Sequence, residues 1–454
     1  MPPDGEGGRL LRSGIAPREA VHHSPPLSVT PSHPSSTAPH PWRWTPSLYF
    51  CEGVPYVVVM TVSVIMYKNL GISNTAIAFW TSWLYLPWVI KPLWSPVVDL
   101  IRTKRLWIVR LQLVVGVALA LIAVTLPGTH FFRNTLACFW ALAFCSATHD
   151  IAADGFYMLA LRPDLQAAFV GVRSTFYRLA MIAGQGGLVF LAGYLQGSLG
   201  NSRRAWSAAF LLVAAVFLVA GLYHWVVLPR PAVDRPAPRS ARPGADFLRV
   251  FATFFRKPDI TLIVAFLLLY RLAEAQLLKL VAPFLLDPRH AGGLGLSTEQ
   301  VGLLYGTLGI AALTAGGLAG GYVISRFGLK RLLWPMLVSM HLPIAVFVFL
   351  ALRQPSNLAV IGGALAVEQF GYGFGFTAYM VYMMMVSAGE HSTAHYAICT
   401  GFMALGMMLP GLPAGWLQDH LGYARFFIWV CLSTLPSFVA TALIRVDPNY
   451  GRKT

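Results

Sequence analysis

The sequence is poor in charged residues. Only 11% of its 454 residues are Asp, Glu, Lys or Arg, whereas a soluble globular chain averages about a quarter. Acids are the scarcer sign, with 18 Asp and Glu against 34 Lys and Arg. The five cysteines lie in apolar stretches, without the spacing of metal ligands or of a disulfide framework. These shortages argue against a soluble enzyme, a disordered chain and a secreted disulfide scaffold, and we expect no metal or other cofactor.

Hydrophobic residues make up 56% of the chain, and its mean hydropathy is +0.61. This composition is typical of an integral membrane protein built from spanning helices. In a soluble chain, the net charge of +16 would suggest binding to nucleic acid. In a membrane protein it indicates the usual excess of Lys and Arg in cytoplasmic loops, so we expect contact with membrane lipid and none with nucleic acid.

Twelve apolar segments each exceed the roughly 20 residues that cross a hydrocarbon core of ~30 Å. Their predicted bounds are 46–67, 75–98, 106–126, 135–161, 168–195, 205–228, 259–286, 299–324, 332–352, 358–388, 396–417 and 425–446. The long connection at 229–258 is rich in Pro and Arg and divides the segments into two sets of six. We therefore predict an all-α membrane protein with twelve transmembrane helices in two six-helix bundles, residues 46–228 and 259–446, joined by a cytoplasmic linker.

Two tails flank the predicted bundles, residues 1–45 and 447–454. The first is rich in Pro, Ser and His and lacks the short apolar core of a signal peptide, so we expect a disordered cytoplasmic tail. If the N-terminus is inside, the inner segments carry most of the Lys and Arg residues that lie outside the spans. The positive-inside bias then places both termini in the cytoplasm, which agrees with an even number of helices.

A short motif follows the second segment and is echoed after the eighth. The two copies are SPVVDLIRTKR at 95–105 and GYVISRFGLKR at 321–331. Both resemble the loop motif G-x-x-x-D-R-x-G-R-R of the major facilitator superfamily, although Ser325 replaces the acid in the second copy. The positions that carry the resemblance are Asp99, Arg102, Lys104, Arg326, Gly328 and Lys330. The resemblance implies a charge latch between helix ends; ordinary charge beside the membrane is the alternative.

Ionisable side chains inside the predicted spans are expensive, at about 3 kcal/mol each, so they normally pair or face a cavity. Asp150 and Asp154 are four residues apart and share one helix face. On the next, antiparallel segment, Arg178 lies at the depth of Asp150, and Arg173 lies near the depth of Asp154. This spacing predicts two stacked ion pairs. They are either a structural clamp or a site at which proton or substrate binding breaks the upper pair.

Other buried charges have two readings each. Arg271 and Glu274, three residues apart, either pair within the seventh helix or face a cavity together. Glu368 has no basic neighbour on its own helix, which favours a proton site unless a residue such as Arg271 pairs with it.

Glu52 stands beside Gly53 and Pro55, where a kink is expected, and either lines the cavity or makes a contact at the cytoplasmic end. Lys91, Arg110 and Arg173 lie near cytoplasmic ends, where they can snorkel to the interface, and we interpret them as structural.

Small residues and aromatic residues add two expectations. The glycine clusters at 184–187 and 316–321 allow helices to approach closely, and PGLPAG at 410–415 indicates a flexible break. Tyr and Trp side chains are plentiful in the segments. Lining a polar cavity, they would suit a ring-bearing solute such as a sugar, through stacking and hydroxyl hydrogen bonds.

A closer resemblance rests on several stretches in order. They are LYFCEGVPY, LPWVIKPLWSPVVD, FCSATHDIAADG, YRLAMIAG, LYRLAEA, AVEQFGYGFGFTAY and PAGW. The chain resembles the AmpG-like permeases over about 46–446; that group also includes acetyl-CoA transporters and some siderophore importers. The resemblance implies an inner-membrane importer, usually proton-driven, whose best-known substrates are anhydromuropeptides. Its pattern carries over at Asp99, Asp150, Asp154, Arg178, Arg271, Glu274 and Glu368. The chain departs from it at Glu52 and His395, so a different oligosaccharide stays open.

These observations favour a monomeric, proton-coupled importer of an amino sugar, muropeptide or related oligosaccharide that works by alternating access. The proposed cavity and proton residues are Glu52, Asp150, Asp154, Arg178, Arg271, Glu274 and Glu368. An importer of a siderophore or acyl-CoA is the nearest alternative. A membrane sensor and an enzyme acting on lipid-linked sugar are alternatives of other classes. The sequence lacks a nucleophile elbow, a His-rich metal cluster and a phosphate loop, so we expect no enzyme.

Overall fold

The computed structural model describes residues 40–161, 163–236, 243–388, 392–448 and 450–451, and these residues contain helices and no strands. Residues 1–39 of the predicted N-terminal tail lie outside this set. The tail was predicted to extend to residue 45, but a short 3-10 helix, Pro41–Arg43, leads directly into a helix that begins at Thr45. Trp44 is fully buried against Phe156, and this packing orders the segment before the first span.

The described residues form twelve helical segments, which we label α1 to α12 in chain order. They are α1, Pro41–Asn69; α2, Asn74–Trp83 with Leu86–Leu100; α3, Lys104–Thr125; α4, Phe131–Ala160; α5, Pro163–Met181 with Ile182–Leu188 and Val189–Leu199; α6, Ser202–Val227; α7, Ile260–Leu269 with Leu272–Leu286; α8, Thr298–Phe327; α9, Leu329–Arg353; α10, Leu358–Ser387; α11, Ser392–Gly411 with residues 414–421; and α12, residues 423–432 with Leu435–Leu443. The last boundary falls at Gly422, whose φ of 72° and ψ of 165° interrupt the helix Ala414–Leu432. The predicted all-α class and the order of the segments are confirmed.

Nine helices of the described chain are long and apolar enough to cross a membrane. The segments outside that set are α2, α10 and Ser392–Gly411. In α10, Glu368, Gln369 and several glycines lower the hydropathy of the middle of the helix. On the outside of the fold, large apolar side chains are mostly exposed, among them Val226 at 78% and Leu342 at 70%. An exterior with many exposed large apolar side chains suits lipid rather than water.

Helix packing follows the two halves of the chain. In the first half, α3 packs on α4 and α6, and α1 packs on α5; in the second, α10 packs on α8 and α9. Between the halves, α2 packs on α11, α5 on α8, and α1 on α7. The central helices α1, α2, α5, α7, α8 and α11 therefore surround the interface, which is where a site shared by both halves must lie.

The connection between the halves contains a helix that the sequence did not predict, Pro243–Phe255, which we call the linker helix. Before it, the carboxylate of Asp234 accepts hydrogen bonds from the backbone N–H groups of Lys104 at 2.8 Å and Arg105 at 3.1 Å. An acid at this position caps the N-terminus of α3 and interacts favourably with the helix dipole. The start of the linker is thus fastened to the loop between α2 and α3.

Polar contacts between the halves gather at one end of the molecule. Lys68 at the end of α1 forms an ion pair with Asp287 after α7, and Asn74 at the start of α2 donates to Gln418 and to Tyr423. We call the end that holds these residues the closed end. The opposite end, which holds Arg102, Lys104, Arg326 and Lys330, we call the basic end. Gly415 packs so tightly at the closed end that an added Cβ would lie 2.1 Å from the carbonyl oxygen of Asn74.

Candidate functional site

The first half carries a cluster of charges on its inner helices. Arg173 on α5 and Asp154 on α4 form an ion pair of 2.7 Å, which confirms the lower of the two predicted pairs. Tyr49 on α1 donates a hydrogen bond to the same carboxylate at 3.4 Å. The Arg173 guanidinium also lies over the ring of Tyr49, 4.6 Å from its centre. Arg173 is therefore held in a fixed position by a carboxylate and an aromatic face.

The predicted pair between Asp150 and Arg178 is wrong. The carboxylate of Asp150 accepts a hydrogen bond from the indole Nε1 of Trp88 at 3.1 Å and lies 3.5 Å from Nζ of Lys91, both on α2. Arg178 instead lies against α8, where a Cβ added to Gly317 would be 3.2 Å from its guanidinium. The reason is rotation. Arg173 and Arg178 are five residues apart, about 140° around the helix, so both cannot face α4.

Glu52 on α1 joins this cluster. It is 6% exposed, and its Oε2 has no hydrogen-bond partner among the described residues. It lies within electrostatic range of Asp150, Asp154, Lys91 and Arg173. The cluster therefore gathers three acids and two cations from four helices, and Glu52 is the acid that forms no ion pair within the described part of the chain. Lys91 is part of this cluster and does not simply reach for the interface as the sequence suggested.

The second half carries its charges at a break in α7. The helix ends at Leu269 and resumes at Leu272, and Arg271 has non-helical dihedrals of φ −110° and ψ 17°. The guanidinium of Arg271 donates a hydrogen bond to the hydroxyl of Tyr372 and lies 4.7 Å from the ring centre of Phe376, both on α10. The sequence predicted an unbroken seventh helix here. Discontinuous spanning helices are a common way to expose polar groups at mid-membrane sites of transporters.

Two buried glutamates lie near this break. Glu274, in the first turn after it, is fully buried, and neither carboxylate oxygen has a hydrogen-bond partner in the described part of the chain. Glu368 on α10 is also fully buried; one of its oxygens accepts a hydrogen bond from the Gln369 side chain at 2.9 Å. Neither glutamate forms an ion pair with Arg271 or with another described residue. The two acids lie within electrostatic range of each other, an arrangement that disfavours charge on both.

Aromatic side chains join the two charge clusters. Tyr56 on α1 is within electrostatic range of both Asp150 and Arg271, and its ring packs edge-on against Trp88 at 5.4 Å. Tyr85 on α2 is within range of Arg271 and Glu274 in the same way. Tyr305 on α8 is within range of Glu274 and Glu368. The site is thus a mixed layer of charges and rings contributed by both halves.

The loop motif is placed at the basic end. The side chain of Asp99 lies outside the described residues. Arg102 adopts a left-handed turn with φ 69°, and the stem of Lys104 packs on Gly155 of α4.

In the second copy of the motif, Arg326 and Lys330 are both exposed, and Gly328 provides the turn with φ 82°. The guanidinium of Arg326 lies 3.5 Å from the hydroxyl of Tyr322. Arg326 and Lys330 form no ion pair with a described residue, so the implied latch stays a prediction.

The glycine clusters confirm the predicted close approaches. A Cβ on Gly306 of α8 would lie 2.2 Å from the carbonyl oxygen of Gln185, and one on Gly316 would lie 2.1 Å from that of Phe370. At the first contact both helices widen into π-helical turns, Ile182–Leu188 and Gly302–Gly309. Such turns often occur at functional sites. The expected break at 410–415 is also present, between Gly411 and Ala414.

Sequence comparison identifies the family. The model of the Major Facilitator Superfamily matches residues 47–410. The chain belongs to the major facilitator superfamily. It is therefore a multi-pass membrane protein and a secondary transporter, which supports the resemblance noted from the sequence.

Relatives and solved structures agree with this membership. The chain is similar to the anhydromuropeptide permease of Escherichia coli, with 26% identity over 89% of this chain and 80% of the relative. It is 24% identical to the putative transporter AmpG 4 of Rickettsia conorii, over 88% and 95% of the two chains. Among solved structures, a D-xylose-proton symporter superposes with a TM-score of 0.66 at 10% identity, over 91% of this chain and 99% of the other. The nucleoside transporter NupG gives 0.63 at 16% identity, over 89% and 98%. These structures show the fold.

Proposed function

We propose that the protein imports an anhydromuropeptide or a related amino-sugar oligosaccharide together with protons, as a monomer in the cytoplasmic membrane. The halves 46–228 and 259–446 rock about the mixed layer of charges and rings, and the basic end faces the cytoplasm. Both termini are then cytoplasmic. The excess of Lys and Arg at the basic end supports this orientation. The likeness to a named anhydromuropeptide permease over most of both chains supports the solute.

The observation that carries the proposal is the meeting of unpaired acids with aromatic rings from both halves. Sugars bind proteins by stacking on aromatic rings and by hydrogen bonds between their hydroxyl groups and charged side chains. Asp150 and Arg271 supply the charged side chains here. The rings beside them are those of Tyr56, Tyr85, Trp88 and Tyr372. Glu274 and Glu368 are buried and form no ion pair with any residue that the structure describes. A buried acid with no counter-charge is most easily accommodated as the neutral, protonated form. Release of that proton at the basic end would couple its passage to that of the solute.

The test is uptake by purified protein in proteoliposomes. Labelled anhydromuropeptide is supplied with and without an inward proton gradient to the wild type, to Glu368→Gln and to Glu299→Gln, a matched control at an exposed acid of the closed end. The wild type and the control should accumulate solute only with the gradient. Glu368→Gln should lose accumulation but keep exchange of solute across the membrane, because the binding site is intact.

Other outcomes are informative as well. If Glu368→Gln still accumulates solute, the proton is carried by Glu274 or Asp150. If the wild type takes up no amino sugar under either condition, the muropeptide proposal is wrong, and a siderophore and an acyl-CoA are the next solutes to supply. A reporter enzyme fused to the C-terminus, active only in the cytoplasm, tests the proposed orientation.

A further inference from the structure

Lys279 is a buried amine for which the mechanism above has no use. It lies on α7, eight residues after Arg271, and is only 3% exposed. It forms no ion pair with any residue that the structure describes. Glu274, the nearest acid along its own helix, is five residues away and about 140° around the helix axis, so the two side chains point in different directions.

The partners of Lys279 are neutral and come from the other half of the protein. Its Nζ donates a hydrogen bond to the hydroxyl of Thr81 at 3.0 Å and lies 5.1 Å from the centre of the Tyr85 ring. Its stem packs beside Gly411 of α11, where an added Cβ would be 3.3 Å from Cε. Ser82 also points its hydroxyl into this junction, since it is buried without a hydrogen-bond partner among the described residues and approaches the same glycine.

A lone ammonium is a poor structural element in a membrane protein. Among the described residues its Nζ meets one hydroxyl and one ring, which is less than a carboxylate supplies, so the covered amine, like the buried glutamates, is most easily accommodated in its neutral form. An apolar side chain of the same length would fill the space at lower cost. An intramembrane ionisable side chain without a counter-ion therefore indicates a function. Lys279 borders the candidate site through Tyr85. The Tyr85 ring lies beside the Lys279 amine and is also within electrostatic range of Arg271 and Glu274.

We propose that Lys279 binds an anionic group of the solute, a carboxylate, and so selects acidic over neutral solutes of one chemical class; this rests on the import function proposed above. When the closed end opens, α2 moves away from α7, and Lys279 loses Thr81 and Tyr85 together. A carboxylate that enters from that side replaces them as the counter-charge. Closure of α2 then covers the bound group. Along the helix, Lys279 lies about 12 Å from Arg271, so an extended solute can contact both.

The test compares binding of an anhydromuropeptide with that of the same molecule after its carboxyl groups are converted to amides. Affinities are measured on the detergent-purified wild type, on Lys279→Met and Lys279→Arg, and on Lys257→Met. Lys257 is a matched control because its Nζ donates a hydrogen bond to the carbonyl oxygen of Val386, away from the site. The wild type, Lys279→Arg and the control should bind the acid at least ten-fold more tightly than the amide. In Lys279→Met that preference should fall to about one.

Each contrary result has a distinct meaning. A preference that survives in Lys279→Met, or a wild type without one, overturns the role of Lys279 and leaves the import function standing. A wild type that binds and transports neither form overturns the import function and this inference with it. If Lys279→Met does not fold, Thr81→Val decides the question. Because it removes the competing acceptor, it should bind the acid at least three-fold more tightly, and an unchanged affinity contradicts the proposal.

Discussion

Lys68 and Asp287 join the two halves of the protein through an ion pair of 2.6 Å. The pair belongs to a closed ring of polar contacts. Lys68 also donates to the side-chain oxygen of Asn74 at 2.8 Å, Asn74 donates to the hydroxyl of Tyr423 at 2.9 Å, and Tyr423 donates to Asp287 at 2.5 Å. Because α1, α2, α12 and the segment after α7 each supply one member, the closed end cannot open without breaking the ring.

Loss of the Lys68 ammonium should therefore favour opening at the closed end. A hydrogen bond to a charged group contributes about 1.5–3 kcal/mol, which corresponds to a shift of roughly ten-fold or more in the opening equilibrium. We expect Lys68→Met to raise the labelling rate of Ser82→Cys by about that factor, measured with an impermeant maleimide in a background without the five native cysteines. Ser82 is buried below the ring in the closed form.

The charge swap Lys68→Asp with Asp287→Lys is the matched control, since it restores an ion pair with its direction reversed. It should return the labelling of Ser82→Cys to a slow rate. Equal labelling of the wild type and Lys68→Met would mean that the ring does not hold the closed end shut.

The features that were predicted correctly from the sequence depend only on segment length, residue size and the number of residues between two positions. Helix order, the glycine approaches at Gly186 and Gly316, and the pair of Asp154 with Arg173 follow from hydrophobic length, residue size and depth counted from a shared turn. These quantities need no knowledge of how helices rotate. They were sufficient for the fold class and for one of the two predicted pairs.

The features that were missed depend on rotation and on contacts between distant segments. Lys91, which pairs with Asp150, lies 59 residues away in the chain, and Thr81, which binds Lys279, lies 198 residues away. Counting depth gives no information on which face of α5 meets α4, and this is why Arg178 was misassigned. The break at Arg271 has no Gly or Pro beside it, so the local sequence gave no reason to interrupt the helix.

The contact of α5 with α8 at Gly306 should tolerate no side chain. An added Cβ would lie 2.2 Å from the carbonyl oxygen of Gln185 and 2.6 Å from the Cα of Gly186, both of which are backbone atoms. Overpacking of this kind costs about 1–3 kcal/mol. We expect Gly306→Ala to lower the melting temperature of the purified protein by about 1–3 °C.

Gly187 offers the matched control for this substitution. It lies in the same π-helical segment as Gly186, and nothing lies within 4 Å of an added Cβ. Ala is favoured over Gly in a helix by about 0.5–1 kcal/mol, so Gly187→Ala should leave the melting temperature unchanged or slightly raised. Equal melting temperatures for Gly306→Ala and Gly187→Ala would contradict the tight contact between α5 and α8.

Asp234 should control how firmly the linker is held at the basic end. Its carboxylate caps the first backbone N–H groups of α3, and the loss of such a cap costs about 1 kcal/mol, or roughly five-fold in local opening. In detergent-solubilised Asp234→Ala, trypsin should cleave after Arg105, in the first turn of α3, about five times faster than in the wild type. Glu299→Ala removes an acid from the first turn of α8 at the closed end and should leave this rate unchanged. An unchanged rate in Asp234→Ala would show that other contacts hold the linker.

The partner of Asp150 can be decided by double-mutant cycles on the free energy of unfolding. Asp150 contacts Lys91 and Trp88, whereas Arg178 lies against Gly317 on α8. Residues in direct contact give coupling energies of about 0.5–3 kcal/mol, and residues without a shared partner add within about 0.5 kcal/mol.

The cycle of Asp150→Asn with Lys91→Met should therefore show coupling, and the cycle of Asp150→Asn with Arg178→Gln should be additive. The two cycles share one variant and remove one cation each, so a general effect of lost charge would appear in both. Coupling to Arg178 alone would restore the pairing inferred from helix depth and would require α5 to be rotated from its observed position.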